Sequence, residues 1–193
     1  MMRKIIAYIA ISADGFIARP DGDVAWLDRP TTAGDYGMGD FYKSIDTVVM
    51  GRKTYDIALK FGQKSYPGKK NYIFSRNHPA GRTLDVEFVR DGADEFARRL
   101  RSVRGKNIWL VGGAELIAEF LDAEQIDEFI MHVIPTLIGE GIPLVHPRRR
   151  SVPLALVACK AYPDGVVELH YACARRAPAP YARMKGVRQG RRR

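Results

Sequence analysis

The sequence has very few cysteines. Cys159 and Cys173 are the only two among 193 residues, too few for a disulfide framework or a cysteine-rich metal site. They flank the turn Pro163-Asp164-Gly165, and if this turn joins two paired strands, Cys159 lies opposite about residue 169 and Cys173 opposite about residue 155. That offset of roughly four residues, on the order of 13 Å along a strand, is too long for a disulfide. We therefore expect both side chains to be small, buried and reduced, as in a cytoplasmic protein.

Long apolar runs are also missing. No stretch approaches the roughly 18 apolar residues of a membrane-spanning helix, so we expect no membrane partner. The run from Ile5 to Ile11 follows Met1-Met2-Arg3-Lys4, as in a short signal peptide. It is short, however, and it leads into Ser12-Ala13-Asp14-Gly15, which would be an odd start for a mature protein. A buried first strand explains the run better.

Acidic residues are absent from Arg175 onward, where eight residues are basic. Removing those eight lowers the net charge from +9 to about +1, so the basic character belongs to a tail rather than to the body. Little apolar content predicts that residues 175–193 are disordered, whereas residues 1–174 suffice for one domain. Nucleic acid would bind only through this tail, whose single aromatic residue, Tyr181, does not make a base-stacking platform.

Several familiar motifs are missing as well. There is no G-x-G-x-x-G, and residues 62–70 differ from a P-loop in spacing and lack Ser or Thr after the lysine. None of the four histidines, His78, His132, His146 and His170, has a ligand-like partner four residues on, so we expect no metal. The serine-hydrolase motif G-x-S-x-G is absent too.

What is present is an alternation of strand and helix patterns. Apolar, β-branched residues predict strands at 3–12, 47–50, 70–75, 86–89, 107–111 and 126–134, and a terminal hairpin at 154–162 and 166–174. Helical patterns cover residues 38–45, 53–60, 93–104 and 114–122, and long loops cover 13–30 and 135–143. The pattern predicts an α/β domain with a mixed, mostly parallel eight-stranded sheet, helices on both faces and a C-terminal antiparallel hairpin.

Glycines stand where two of these strands meet helices. Gly51 ends an apolar run and is followed by Arg52, and Gly112-Gly113 ends another. A glycine lets the backbone approach a ligand closely, and the free N–H groups of a helix start attract anions. Ser75-Arg76, just past a third strand, adds a hydroxyl and a bidentate donor. These positions predict a diphosphate or dinucleotide site at the carboxyl ends of the strands, although any strand-to-helix junction with a glycine looks similar.

Taken in chain order, the first loop, the glycine junctions, the Ser75-Arg76 pair and the loop at 135–143 resemble the dihydrofolate-reductase-like superfamily. Within it, they resemble the reductase domain of bacterial riboflavin biosynthesis and its small stand-alone relatives. The resemblance covers residues 3 to about 174 and rests on residues 12–18, 46–55, 75–76, 111–113 and 135–144. It implies a dihydrofolate-reductase-like three-layer fold and an NADPH-dependent oxidoreductase acting on a small heterocyclic, pterin- or pyrimidine-like, or carbonyl substrate.

The resemblance also implies which residues hold NADPH. The cationic neighbourhood expected at the 2′-phosphate favours NADPH over NADH, because unpaired buried arginines are costly. Gly51, Arg52 and Thr54 would contact the phosphates, with Arg52, Ser75 and Arg76 near the 2′-phosphate. Gly112 and Gly113, followed by Ala114 and Glu115, would pass under the diphosphate and the nicotinamide side. Gly15, Ile17 and Ala18 of the first loop would close over the nicotinamide.

Candidates for catalysis and substrate binding are less well defined. By resemblance, Asp40 or Asp35 on the helix before Gly51 would orient the substrate and assist its protonation, and Asp40 is favoured because it adjoins Phe41. Asp14 either contacts substrate or holds a turn. Phe41, Asp35 and Trp26 are candidate substrate-binding residues, although Trp26 would equally suit the core.

Two further expectations concern partners. The apolar terminal hairpin suits a homodimer paired across a twofold axis. The alternative to an enzyme is a non-enzymatic nucleotide- or nucleic-acid-binding protein that uses the reductase fold and the basic tail.

Overall fold

A nine-stranded sheet forms the centre of the computed structural model, which describes residues 2–28 and 34–174. The predicted tail at 175–193 lies outside the described residues, so its disorder stays a prediction. The strands are β1 (Ile5–Ser12), β2 (Phe16–Ala18), β3 (Ile45–Gly51), β4 (Lys70–Phe74), β5 (Gly81–Arg82), β6 (Glu87–Val89), β7 (Asn107–Gly112), β8 (Glu128–Ile134), β9 (Ile142–Pro143), β10 (Leu154–Ala161) and β11 (Val167–Cys173). The helices are α1 (Met38–Ser44), α2 (Arg52–Lys60), α3 (Ala93–Arg101) and α4 (Ala114–Asp122), and a 3₁₀ turn covers Ala25–Leu27.

The large sheet is mostly parallel. Its strand order is β10-β11-β8-β1-β7-β3-β4-β6-β5, and β8, β1, β7, β3, β4 and β6 are mutually parallel. The β10–β11 hairpin joins β8 in antiparallel fashion, and β5 pairs with β6 in the same way. The carboxyl ends of six strands therefore share one edge. This confirms the predicted α/β class, the mostly parallel sheet and the C-terminal hairpin, with β5 as the one strand more than the eight expected.

Helices cover both faces of the sheet. Along β1 the side chains alternate between two apolar clusters, with Ile5 and Ala7 in one and Ile6 and Tyr8 in the other. The first cluster includes residues of α3 and α4, and the second includes Phe41 of α1 with Tyr55 of α2 packed against it. Residues 5–8 are all at most 8 % exposed, as expected for a strand covered on both faces.

The terminal hairpin corrects the expectation for the two cysteines. Cys159 lies opposite Leu169 as predicted, but Cys173 lies opposite Leu154 because the register shifts between Leu156 and Ala158. Cys159 is exposed, and only Cys173 is partly buried. The prediction of burial is wrong for Cys159, since β10 is the edge of the sheet and its side chain is exposed.

None of the helices among the described residues has the length and apolar character needed to cross a membrane.

Candidate active site

The two glycine junctions lie side by side at the carboxyl edge of the sheet. A Cβ placed on Gly51 would be 3.7 Å from the Gly112 carbonyl oxygen and 3.8 Å from the Gly113 nitrogen. Gly112 has a φ of +124°, which favours glycine, and the Gly112–Gly113 peptide is cis. Because α2 begins at Arg52 and α4 at Ala114, neither with a capping side chain, the free N–H groups of two helix starts meet at this edge.

Charged side chains connect these helix starts. The Lys53 ammonium lies 3.1 Å from Oε1 of Glu115, which links the first turns of α2 and α4. A hydrogen bond and the charge of Lys53 lower the pKa of Glu115, with burial opposing them. Thr54 lies on the same side, with its Oγ1 3.2 Å from where a Cβ on Gly113 would be. Residue 113 therefore has little room for a side chain.

The Ser75-Arg76 pair follows β4, the strand next to β3. The Ser75 hydroxyl accepts a hydrogen bond of 3.1 Å from the His78 amide, and the His78 ring stacks on Phe88 at 3.8 Å between centroids. The Arg52 guanidinium lies 5.8 Å from the same Phe88 ring while its Nε donates to Asp56 at 2.7 Å. Arg76 itself is exposed. The structure thus brings Arg52 and the Ser75 turn to neighbouring positions beside Gly51.

The first loop is fixed by a second small sheet. In β2, Phe16 pairs with Pro143 and Ala18 pairs with Ile142 of β9, and the Gly15 carbonyl accepts a 3.0 Å hydrogen bond from Leu144. Ala18 is buried and Ile17 packs against the core cluster of α3 and α4. The first loop and the loop after β8 therefore form one unit beside the end of β1.

Asp14 holds these two loops together. Its carboxylate accepts hydrogen bonds from the Ser12 hydroxyl at 2.5 Å and from the Ile138 and Gly139 amides at 3.1 and 2.7 Å. The Ser12 hydroxyl and these amides lower the pKa of the Asp14 carboxyl, against the smaller effect of burial. In this geometry Asp14 holds the turn, and its catalytic role stays a prediction.

Asp40 and Asp35, the two carboxylates of the α1 region, bind groups of this chain rather than pointing unpaired into a site. Asp40 is 91 % exposed and pairs with Lys43 at 3.0 Å. The Asp35 carboxylate accepts hydrogen bonds from the Gly37 and Gly39 amides at 3.0 and 2.8 Å and so caps the first turn. These amides lower the pKa of Asp35. The geometry adds no support for either as a proton donor, and both roles stay predictions.

A cavity of about 410 Å³ opens beneath α1, within the size range of ligand pockets. Phe41, which stacks on Tyr8 at 4.2 Å between centroids, forms part of its wall. Asp40 lies on it too, whereas Trp26 packs against the separate cluster of Ile134, Tyr162 and Val166. The full lining is Ile6, Tyr8, Tyr36, Gly37, Asp40, Phe41, Ser44, Ile130, Lys160, Tyr162 and Glu168.

A polar cluster that the sequence did not predict lies at the wall of this cavity. His132 of β8 is directly opposite Glu168 of β11, with His132 Nε2 3.3 Å from Oε2 of Glu168 and 3.1 Å from the Tyr36 carbonyl oxygen. The Tyr162 hydroxyl donates to the same Glu168 oxygen at 3.1 Å, and the Tyr8 hydroxyl donates to the Tyr36 carbonyl at 3.2 Å. Burial lowers the pKa of His132 despite Glu168, and it raises the pKa of Tyr162 to about 12.

Metal ligands do not converge anywhere in the described part of the chain: no group of three or more His, Cys, Asp or Glu side chains there is placed to hold an ion.

Together, a mostly parallel sheet with glycine junctions at one edge and a cavity beside β1 define a reductase-like domain of the dihydrofolate-reductase type. The chain belongs to the RibD C-terminal domain family, whose model matches residues 3–168. It is 41% identical over 172 residues to the uncharacterized protein YwjB of Bacillus subtilis (strain 168), covering 89% of this chain and 98% of YwjB.

Solved structures agree with this assignment. A protein from Shewanella sp. PV-4, named provisionally for riboflavin biosynthesis, superposes with a TM-score of 0.79 at 26% identity, covering 91% of this chain and 100% of its own. Dihydrofolate reductase from Enterococcus faecalis, solved with NADP(H), superposes with a TM-score of 0.63 at 17% identity. The match covers 90% of this chain and 99% of the dihydrofolate reductase chain. The suspected superfamily and its fold are therefore confirmed.

Proposed function

We propose that the protein is an NADPH-dependent reductase that transfers a hydride to a small heterocyclic or carbonyl substrate. The observation that carries the proposal is the convergence of Gly51, Gly112-Gly113 and Ser75-Arg76 on neighbouring ends of β3, β7 and β4. Family membership and the NADP(H) in the related dihydrofolate reductase support the choice of cofactor. The presence of only two cysteines suits a reducing cytoplasm, where we place this activity.

The donor set fits a phosphorylated dinucleotide. Two helix N-termini without capping side chains suit a diphosphate, and Gly51 and Gly113 add no side chain at these helix starts. Arg76, Arg52 and the Ser75 hydroxyl would bind the 2′-phosphate, because guanidinium groups pair well with phosphate oxygens. NADPH would supply the hydride, while the protein orients it and keeps water away.

The remaining assigned residues complete this arrangement. Gly15, Ile17 and Ala18 would border the nicotinamide, since β2 is fixed beside the end of β1. Thr54, Ala114 and Glu115 belong to the first turns of α2 and α4 and would border the diphosphate. The substrate would lie in the cavity beneath α1, against Phe41 and Tyr8.

A titration of the purified protein with NADPH and with NADH, followed by tryptophan fluorescence, tests the cofactor. We expect NADPH to bind more tightly than NADH. Replacing Arg76 with alanine should weaken NADPH binding about 10- to 100-fold, as expected for the loss of a charge-assisted hydrogen bond, and should leave NADH binding nearly unchanged. Arg104→Ala is the matched control, because Arg104 is exposed and precedes β7, at the opposite edge of the sheet.

Two results would contradict the proposal. Equal losses of NADPH and NADH affinity in Arg76→Ala would remove the assigned role of Arg76. If neither nucleotide binds the unaltered protein, the glycine junctions are only architectural and the nucleic-acid-binding alternative gains support. That alternative requires binding that weakens steeply with salt and disappears when residues 175–193 are deleted.

A further inference from the structure

A second cavity, of about 300 Å³, lies beside α4 on the other face of β8. Phe129 and Met131 line this α4 cavity, whereas Ile130 between them lines the cavity beneath α1, because successive side chains of a strand point to opposite faces. Its size is at the lower end of the range for ligand pockets. No residue assigned above to the cofactor or the substrate lines it, so it is a separate place for a ligand.

The walls of the α4 cavity are mostly apolar. Leu121 of α4 and the two β8 side chains form one side, and residues 144–154 close the other. The side chains of Leu121, Leu144 and Leu154 are only partly buried against the core. The cavity therefore presents apolar surface to solvent, which the apolar body of a ligand would cover.

Arg150 gives one wall of the α4 cavity an unused hydrogen-bond donor. Its Nε donates to Oδ1 of Asp122 at 2.8 Å, and its Nη1 donates to the His146 carbonyl at 3.3 Å. Its Nη2 is buried and has no partner within residues 2–28 and 34–174. A buried donor without a partner is costly, so a ligand that accepts a hydrogen bond from Nη2 gains affinity.

The charges at this wall favour an anion. Arg148, which also lines the cavity, donates to Oδ2 of Asp122, so both oxygens of this carboxylate are bound to guanidinium groups. The hydrogen bond from Arg150 lowers the pKa of Asp122, and the carboxylate is therefore ionised at neutral pH. Two guanidinium groups and one carboxylate leave one positive charge in excess, which a ligand carboxylate would balance.

We propose that the α4 cavity binds an aliphatic carboxylate. Its chain covers the apolar walls formed by Leu121, Met131 and Leu144, and its carboxylate accepts hydrogen bonds from Nη2 of Arg150. The Arg150 side chain is 16% exposed and lies at the wall, so a small rotation of the guanidinium turns Nη2 towards the ligand. The site is distinct from that of the proposed reductase and does not depend on it.

Isothermal titration calorimetry on the full chain with three probes tests the site. Octanoate carries both the chain and the charge, octan-1-ol keeps the chain without the charge, and acetate keeps the charge without the chain. We expect octanoate to bind about 10-fold or more tightly than octan-1-ol, as for a charge-assisted hydrogen bond, and acetate to bind much more weakly than octanoate.

Arg150→Gln should remove the preference for the charged probe. It should weaken octanoate binding about 10-fold or more and hardly change octan-1-ol binding. Arg98→Gln is the matched control, because it removes an exposed guanidinium that pairs with Asp94 on α3, and both affinities should stay unchanged. An unchanged urea unfolding midpoint shows that each variant is folded.

Val152→Trp tests the cavity itself. Val152 is a partly buried wall residue, so a larger side chain there should fill the cavity and weaken octanoate and octan-1-ol alike. A crystal structure of the unaltered protein with octanoate gives a reading that does not depend on any variant, and should place the carboxylate at Arg150.

Five outcomes would overturn the inference. In the unaltered protein these are equal affinity for octanoate and octan-1-ol, or acetate binding as tight as octanoate, which would indicate an adventitious ion only. In the variants they are an unchanged preference in Arg150→Gln or unchanged binding in Val152→Trp. The fifth is a crystal structure with a second copy of the chain in the cavity, or with octanoate elsewhere. Absence of NADPH binding would contradict only the proposed function, because the octanoate titrations remain readable.

Discussion

At the scale of single residues, His132 combines a buried ring with a lowered pKa. Its ring is buried against Tyr8 at 4.9 Å between centroids, and near the Tyr36 and Tyr162 rings at 6.2 and 6.3 Å. Burial lowers its pKa, whereas the charge of Glu168 and the Tyr36 carbonyl act in the opposite direction and Lys160 adds to the lowering. The imidazole therefore stays neutral to a lower pH than an ordinary histidine.

This predicts a loss of stability below about pH 6.5, the ordinary histidine pKa. There the unfolded chain binds a proton that buried His132 does not, so the free energy of unfolding falls as the pH decreases towards the lowered pKa. One such proton contributes at most about 1.4 kcal/mol per pH unit. Urea denaturation at pH 7.5 and 5.5 should show a smaller decrease for His132→Gln than for the unaltered protein. His146→Gln, at an exposed position, is the control, and equal decreases for all three proteins would contradict the prediction.

The sequence placed the two glycine junctions at strand ends correctly, because their signals are local. An apolar run ending in glycine was enough to place Gly51 and Gly112 at strand ends, and a parallel sheet brings such ends to one edge. Glu168 and His132 were missed because their pairing depends on the register between β8 and β11. The signal available was a polar side chain at an inward position of each apolar strand, but only the fold shows that the two meet.

At the scale of elements, the pairing of β2 with β9 depends on Gly141. A Cβ there would overlap the Ala18 carbonyl oxygen and lie 3.2 Å from the Phe16 side chain. The first of these obstacles is backbone and cannot rotate away. Gly141 thus permits the first loop to lie against the loop after β8.

Gly141→Ala should therefore separate the two short strands. We expect a destabilisation of about 1–3 kcal/mol, typical of overpacking, and faster amide hydrogen exchange at residues 15–18, 142 and 144. Glu140→Ala, at the adjacent exposed position, is the control. Unchanged exchange in Gly141→Ala would show that the loops adapt without losing their pairing.

The elements that the sequence did not predict are the short ones. The two-residue strands β5 and β9 and the three-residue β2 are too short to show an alternating pattern, and their pairing is tertiary. Longer elements were predicted almost to the residue: α4 covers residues 114–122 as expected, and α3 ends at Arg101 rather than at residue 104. Sequence periodicity therefore predicts long helices and strands. Short strands form only where another strand lies beside them in the fold.

At the scale of the whole molecule, β10 is an edge strand of the large sheet with exposed apolar side chains. Its outer side pairs with no other strand of the described residues, and Leu156 and Val157 are 59% and 56% exposed. Lys160 is its only charged residue. Long apolar edge strands invite pairing with another chain. We propose that two copies join through β10 about a twofold axis, as the sequence suggested for the hairpin.

Sedimentation equilibrium would test this dimer. The unaltered protein should be dimeric, and the double variant Leu156→Lys, Val157→Lys should be monomeric, because four like charges would meet at the interface. Leu84→Lys is the control, since Leu84 is fully exposed between β5 and β6 at the opposite end of the sheet. A monomeric unaltered protein, or a dimeric double variant with retained NADPH binding, would contradict the proposal.

The central position of β1 has a consequence for synthesis on the ribosome. Both neighbours of β1 come late in the chain, since Ile5 pairs with Ile108 of β7 and Ile6 pairs with Glu128 of β8. At about 5–20 residues per second, this apolar strand remains without its partners for on the order of 10 s. During that time it is a natural binding site for chaperones, and the sheet closes only after β8 has emerged.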